Sequence, residues 1–131
     1  MLSIVLGAVW SALTPAADLK AQTVAAEQIG RAINTLPLAL LVSLTSAIGE
    51  EIFFRGALQP VFGIPLTSVF FALFHIQYTL TPASVLIFVV ALGLGWLRSR
   101  YSTSASIIAH FVYNFVPLTL AILFGSSLGG V

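Results

Sequence analysis

The chain has no cysteine, which excludes disulfides, thiol nucleophiles and cysteine-bound metals and leaves the redox compartment open. Charge is nearly as scarce: five Lys and Arg and four Asp and Glu serve 131 residues, a charged share of 7%, against about a quarter in soluble domains. The few basic residues form no run of the kind that tracks a phosphate backbone, so no nucleic acid is expected as a partner. Strand-like alternation of polar and apolar residues is also missing, which argues against a transmembrane barrel.

What is present is apolar. Hydrophobic residues make up 59% of the chain, with a mean hydropathy of +1.08, and they fall in long blocks. Such a chain is an integral membrane protein, and its length predicts an all-α, polytopic transmembrane helical bundle of about four to five membrane helices. Residues 1–31 form an N-terminal apolar segment followed by a solvated connector, 32–124 the helical core, and 125–131 a frayed Gly/Ser-rich tail.

Within the first part, residues 1–17 lack a basic leader and are interrupted by Thr14-Pro15, so they read as a short or truncated first span rather than a cleaved signal peptide. Residues 18–31 carry Asp18, Lys20, Glu27 and Arg31 among Ala and Gln and read as a connecting helix at a membrane face. The core then divides into spans at 32–58, 66–78, 82–97 and 104–124. Pro60, Gly63 and Pro65 mark a turn, Thr81-Pro82 a helix start, Ser102-Thr103-Ser104 a cap, and Pro117 a kink in the last span.

One stretch breaks the apolar pattern. Gly49-Glu50-Glu51-Ile52-Phe53-Phe54-Arg55-Gly56 holds three of the nine charged residues. An ionised side chain within a span is costly and faces a bundle interior or a water-filled cavity, which makes it a candidate site. On a helix, Glu51 and Arg55 pair at four-residue spacing. Glu50 projects about 100° away around the axis and is left without that partner, so it is a candidate general base. A plainer account is that both glutamates mark a helix end at the membrane surface.

The two histidines decide between these accounts. Each lies in an apolar helix: His75 closes Phe71-Ala72-Leu73-Phe74-His75, and His110 stands four residues before Asn114. A lone histidine in such a place is commonly a packing residue. If the spans alternate in direction, however, Glu50, His75 and His110 all fall about 10–15 Å from one membrane face at helical rise, the face carrying Arg98 and Arg100. One shared polar cavity explains that agreement, and it is expected to open on that face. The arginines also favour the cytoplasmic side.

Glu50-Glu51-x-x-x-Arg55, Phe71-x-x-x-His75 and His110-x-x-x-Asn114 together resemble the three motifs of the CAAX prenyl protease and bacteriocin-processing family of intramembrane endopeptidases, in the family's order. The resemblance covers about residues 32–124. It implies peptide-bond hydrolysis in which Glu50 and His75 activate a water, His110 and Asn114 stabilise the oxyanion, and Glu51 and Arg55 give structural support. It also implies a peptide or protein substrate, C-terminal or lipidated in some relatives. Membrane lipid is the other expected partner, and the plasma membrane the expected location, with the active-site face cytoplasmic by the arginine placement.

Two histidines and a glutamate are also a recurrent zinc ligand set, so Zn²⁺ held by His75, His110 and Glu50 stays open. With no His-Glu-x-x-His helix in the sequence, no metal is favoured. Two other function classes compete: a small transporter or channel using Glu50, Glu51, His75 and His110 as a proton relay, and a non-catalytic bacteriocin self-immunity protein. A relay calls for polar positions spread across the membrane. Those here cluster near one face.

Overall fold

A computed structural model describes residues 12, 15–75 and 82–128, and every regular element among them is helical. We number the elements α1 (Ala16–Ala32), α2 (Leu36–Glu51), a π-helical segment (Ile52–Leu58), α3 (Gln59–Phe74), α4 (Pro82–Arg100) and α5 (Thr103–Leu128). The fold class is the expected one. Among the described residues two stretches are long and apolar enough to cross a membrane, Leu36–Phe74 with 39 residues and Thr103–Phe124 with 22, so the expected count of four to five spans is not confirmed. The proposed first span lies largely outside the described residues.

Burial runs opposite to that of a soluble protein. The largest fully buried side chains are Arg55, Glu51, Thr67, Ser43, Ser68 and Ser106, while Leu41, Val61, Phe74, Val85 and Ile108 are more than half exposed. Water would penalise both choices at once; hydrocarbon favours both, because it solvates apolar side chains and drives polar groups to find partners inside the bundle. The protein is therefore a membrane protein.

The element boundaries depart from expectation in physically legible ways. The first long span begins at Leu36 rather than Ala32, because α1 runs on to Ala32 and the chain breaks before Pro37, which sits in the first turn of α2, where its missing N–H is not needed. The turn around Pro60, Gly63 and Pro65 shrinks to one residue. Gly63, at φ 74° and ψ 175°, is the single non-helical residue within α3, in a region that essentially only glycine enters. Helix α5 is capped by Ser102, whose Oγ accepts from the Ala105 N–H at 3.1 Å. It continues to Leu128, so residues 125–128 of the expected frayed tail are helical.

Close packing follows from small residues. Ala39, Ser43 and Ala47 are buried at four-residue spacing on α2, and α2 packs most extensively against α5, the small-residue contact that membrane helices favour. Four-residue spacing on an α-helix drifts by about 40° per step, so the stripe rotates along the chain. It reaches Glu51 opposite α5, and then Arg55 and Gln59 opposite α4, where Arg55 Nη2 donates to the Ala91 carbonyl at 3.1 Å and Gln59 Nε2 to the Gly95 carbonyl at 2.9 Å.

Gly95 is the point of closest approach. A Cβ there would lie 2.8 Å from Ile64 Cγ2 and 3.2 Å from Gln59 Oε1, whereas one on Gly93 would meet nothing within 4 Å. Isoleucine is stiff at this branch point. Gly95→Ala is therefore expected to destabilise by about 1–3 kcal/mol through overpacking, while Gly93→Ala is neutral or gains up to about 1 kcal/mol from helix propensity. Melting of both variants in one detergent checks this; equal melting temperatures would show that α3 and α4 are not in contact at Gly95.

Candidate active site

Four helical elements bring the site together. The end of α2 carries Glu50 and Glu51, and the π-helical segment carries Arg55. His75 is the C-cap of α3. His110 and Asn114 lie on α5, near its start. Glu50 Oε2 stands 3.8 Å from His75 Nε2 and 3.9 Å from His110 Nε2, so residues as far apart in sequence as 50 and 110 meet, as the depth argument expects.

Glu51 and Arg55 lie beneath this meeting point. Arg55 Nε is 3.2 Å from Glu51 Oε2, with side chains 1% and 0% exposed. The oxygen is otherwise without a well-aligned hydrogen bond, so the contact acts mainly as an ion pair. Arg55 also lies 4.4 Å over the Phe71 ring, a desolvated cation–π contact. Glu51 and Arg55, for which a supporting role is expected, thus lie as a buried pair behind the meeting point.

Hydrogen bonds assign the proton positions on both histidines. His75 Nδ1 is 2.8 Å from the Phe71 carbonyl; a carbonyl only accepts, so Nδ1 carries the proton and the neutral ring leaves an unshared pair on Nε2. The bond also satisfies a backbone carbonyl that the end of α3 would otherwise orphan. His110 Nδ1 is 2.9 Å from Glu51 Oε1, and Glu51, paired with Arg55, is an acceptor. His110 therefore also points an unprotonated Nε2 toward Glu50 when neutral.

Glu50 is held in the same one-sided manner. Its Oε1 accepts from Ser46 Oγ at 2.6 Å, while Oε2 is buried without a hydrogen-bond partner in the protein. Three acceptors thus face one another, and a shared proton or a donating water is what reconciles them. Exposure separates their roles: the side chains of Glu50 and His75 are 31% and 26% exposed, that of His110 only 5%.

The open side is a cavity of about 340 Å³ lined by Ser46, Glu50, Phe71, His75, Leu86, Ile87, Val90, His110, Tyr113 and Asn114. All six residues singled out in the sequence lie at the cavity or directly behind it. Ser46 and Tyr113 were missed. Helical spacing contained both signals, since Ser46 precedes Glu50 by four residues and Tyr113 follows His110 by three.

The lining corrects the expected opening. Residues 86–90 lie toward the Pro82 end of α4, and Arg55 and Gln59 fill the space from Ala91 to Ser99 on the other side, Gln59 Nε2 reaching Ser99 Oγ at 2.9 Å. The cavity therefore lies on the side of the ionised cluster facing away from Arg98 and Arg100. Depth along the helices brings Glu50, His75 and His110 to one level but does not say on which side Arg55 and Gln59 fill the bundle.

Among the described residues, no group of three His, Asp or Glu side chains is close enough as it stands to be a metal cluster. Asn114 completes the cavity wall one turn beyond His110.

The geometry is that of a helical membrane protein with a carboxylate and imidazoles around an internal cavity. The family model of the type II CAAX prenyl endopeptidase Rce1-like proteins matches residues 32–116, a segment that contains all three motifs. The chain belongs to the Rce1-like family. No curated protein and no solved structure matches it.

The buried ion pair gives a direct test. Glu51→Ala or Arg55→Ala leaves an uncompensated charge in the bundle, and each is expected to destabilise by about 3–5 kcal/mol. Thermal or denaturant melting in detergent reads this out, and wild-type melting of both variants would contradict their burial.

Proposed function

We propose that the protein is an intramembrane endopeptidase that hydrolyses a peptide bond with water activated by Glu50 and His75. The observation carrying this reading is the exposure of those two side chains to the cavity, with His110 in its wall and Glu51 and Arg55 sealed behind. A water against the Glu50 carboxylate and His75 Nε2 gives up a proton to Glu50 as its oxygen attacks the scissile carbonyl. The same proton then passes to the leaving amine.

Oxyanion stabilisation falls to Asn114 and His110. The Asn114 amide donates without any change of protonation. His110 donates from Nε2 only as the imidazolium, since Nδ1 is already committed to Glu51, so in this role the proton that reconciles the three facing acceptors is held on His110 before the reaction begins. The apolar wall of Leu86, Ile87 and Val90 suits a substrate presented from the membrane. A C-terminal or lipidated peptide is the class we assign, from the family. We place the face carrying Arg98 and Arg100 in the cytoplasm of a plasma-membrane protein: Lys20 and Arg31 toward the other face balance those two, and Arg55 tips the choice.

A prenylated peptide ending in a CAAX sequence, incubated with purified protein in detergent, provides the assay. Glu50→Gln and His75→Ala are each expected to reduce turnover by at least about 10²-fold, the usual contribution of a general base, with helicity by circular dichroism unchanged. Cleavage at the wild-type rate by Glu50→Gln would refute the mechanism.

We favour a metal-free site. Activity is expected to survive strong chelation, and elemental analysis to find less than one equivalent of zinc per chain. Stoichiometric zinc, with activity lost to chelator and restored by Zn²⁺, would reassign His75, His110 and Glu50 as ligands.

A further inference from the structure

Hydroxyl groups in membrane helices usually return their proton to a carbonyl of the preceding turn. Thr23 does so to Lys20, Thr45 to Leu41, Ser68 to Ile64 and Ser106 to Thr103, each at 2.8 Å. Ser46 does not. Its Oγ reaches forward to Glu50 Oε1 at 2.6 Å, within the range of charge-assisted O–H···O⁻ bonds. A serine has one hydroxyl proton, and this one is committed to the carboxylate.

The bond has a steric consequence. A glutamate on a helix surface samples several rotamers, and Glu50, with 31% of its side chain exposed to the cavity, has free space to turn into. Fixing Oε1 on Ser46 directs Oε2 to the one place where it faces both His75 Nε2 and His110 Nε2, at 3.8 and 3.9 Å. The other two members are restrained likewise, His75 by the Phe71 carbonyl and His110 by Glu51. Glu50 alone has a hydroxyl as its restraint, and Ser46 lines the cavity beside it.

We infer that Ser46 is the positioning residue for the Glu50 carboxylate: it holds Oε1 so that Oε2 is presented to the two histidines and to the water between substrate and site. This rests on the proteolytic reading for its effect on rate, but the contact itself does not. Ser46 is adjacent to a base, which is also the arrangement of a serine nucleophile, so the experiment includes that outcome.

The chain has only four carboxylate side chains, which makes the Glu50 infrared band assignable by subtracting the Glu50→Gln spectrum from the wild type. In Ser46→Ala that band is expected to shift, and in Ser46→Thr, which restores a hydroxyl, to return. With the CAAX peptide, Ser46→Ala is expected to lower kcat by about 10- to 100-fold, the worth of a hydrogen bond to a charged group, with KM within about twofold and melting unchanged; Ser46→Thr recovers most of kcat. An unmoved Glu50 band overturns the contact whether or not the protein cleaves peptide. A moved band with wild-type kcat overturns the positioning role and leaves the proposed function standing. Covalent labelling of Ser46 by a fluorophosphonate, with an acyl-enzyme burst, overturns it in favour of a nucleophile. Wild-type cleavage by Glu50→Gln is the separate result that defeats the function.

Discussion

The ion pair of Glu51 with Arg55 is the contact on which the rest of the site depends. Two charges in a low-dielectric interior are tolerated only when each is compensated and its remaining hydrogen-bonding capacity is used. Arg55 meets this by reaching Glu51, the Ala91 carbonyl and the Phe71 ring, and Glu51 by reaching Arg55 and His110. Those partners belong to α3, α4 and α5. One buried pair therefore fixes the relative positions of three helices, and His110 is oriented as part of the same compensation.

Hydrocarbon as the outer solvent makes this arrangement stable. Where soluble bundles gain from burying Leu and Phe, this one buries only Phe54, Phe71 and Leu94 of these among the described residues, leaves many others on its surface, and buries Ser43, Thr67, Ser68 and Ser106. Association then relies on close backbone approach and internal hydrogen bonds rather than on expulsion of water. The small stripe on α2 and the glycine at position 95 supply the first, and the bonds of Arg55 and Gln59 to backbone carbonyls of α4 the second. The polar side chains that a soluble fold would place outside are the ones available for chemistry within.

Much of this was legible in the chain because membrane composition simplifies the reading. Charges are so few that Glu50, Glu51 and Arg55 stand out, and four-residue spacing predicts both the ion pair and the shared face of His110 and Asn114. The π-helical segment at Ile52–Leu58 was not legible: one wider turn depends on tertiary packing of Phe54 and Arg55 rather than on local propensity. The direction of the cavity escaped for a related reason. Depth along a helix follows from residue count, but which side of the site is filled depends on where Arg55 and Gln59 find acceptors on α4, and those acceptors are backbone atoms that any residue presents. Ser46 escaped because a serine in an apolar helix ordinarily bonds to its own backbone, and only the structure shows this one bonding forward.

Charge conservation links the architecture to the chemistry we propose. With His75 neutral and His110 held as the imidazolium that its donor role requires, Glu50, Glu51, Arg55 and His110 sum to no net charge in the site. Transfer of a proton from water to Glu50 moves the carboxylate's negative charge to the attacking oxygen and then to the tetrahedral oxyanion without changing the total. A membrane site cannot easily accept a new net charge, because solvation by lipid is poor, but it can displace an existing one over a few ångströms toward fixed donors. Asn114 and a protonated His110 would receive it on one side, and the Glu51 carboxylate, already anchored by Arg55, balances the imidazolium on the other. On this view the second glutamate of the pair is present to keep the charge of the site constant while the first one reacts.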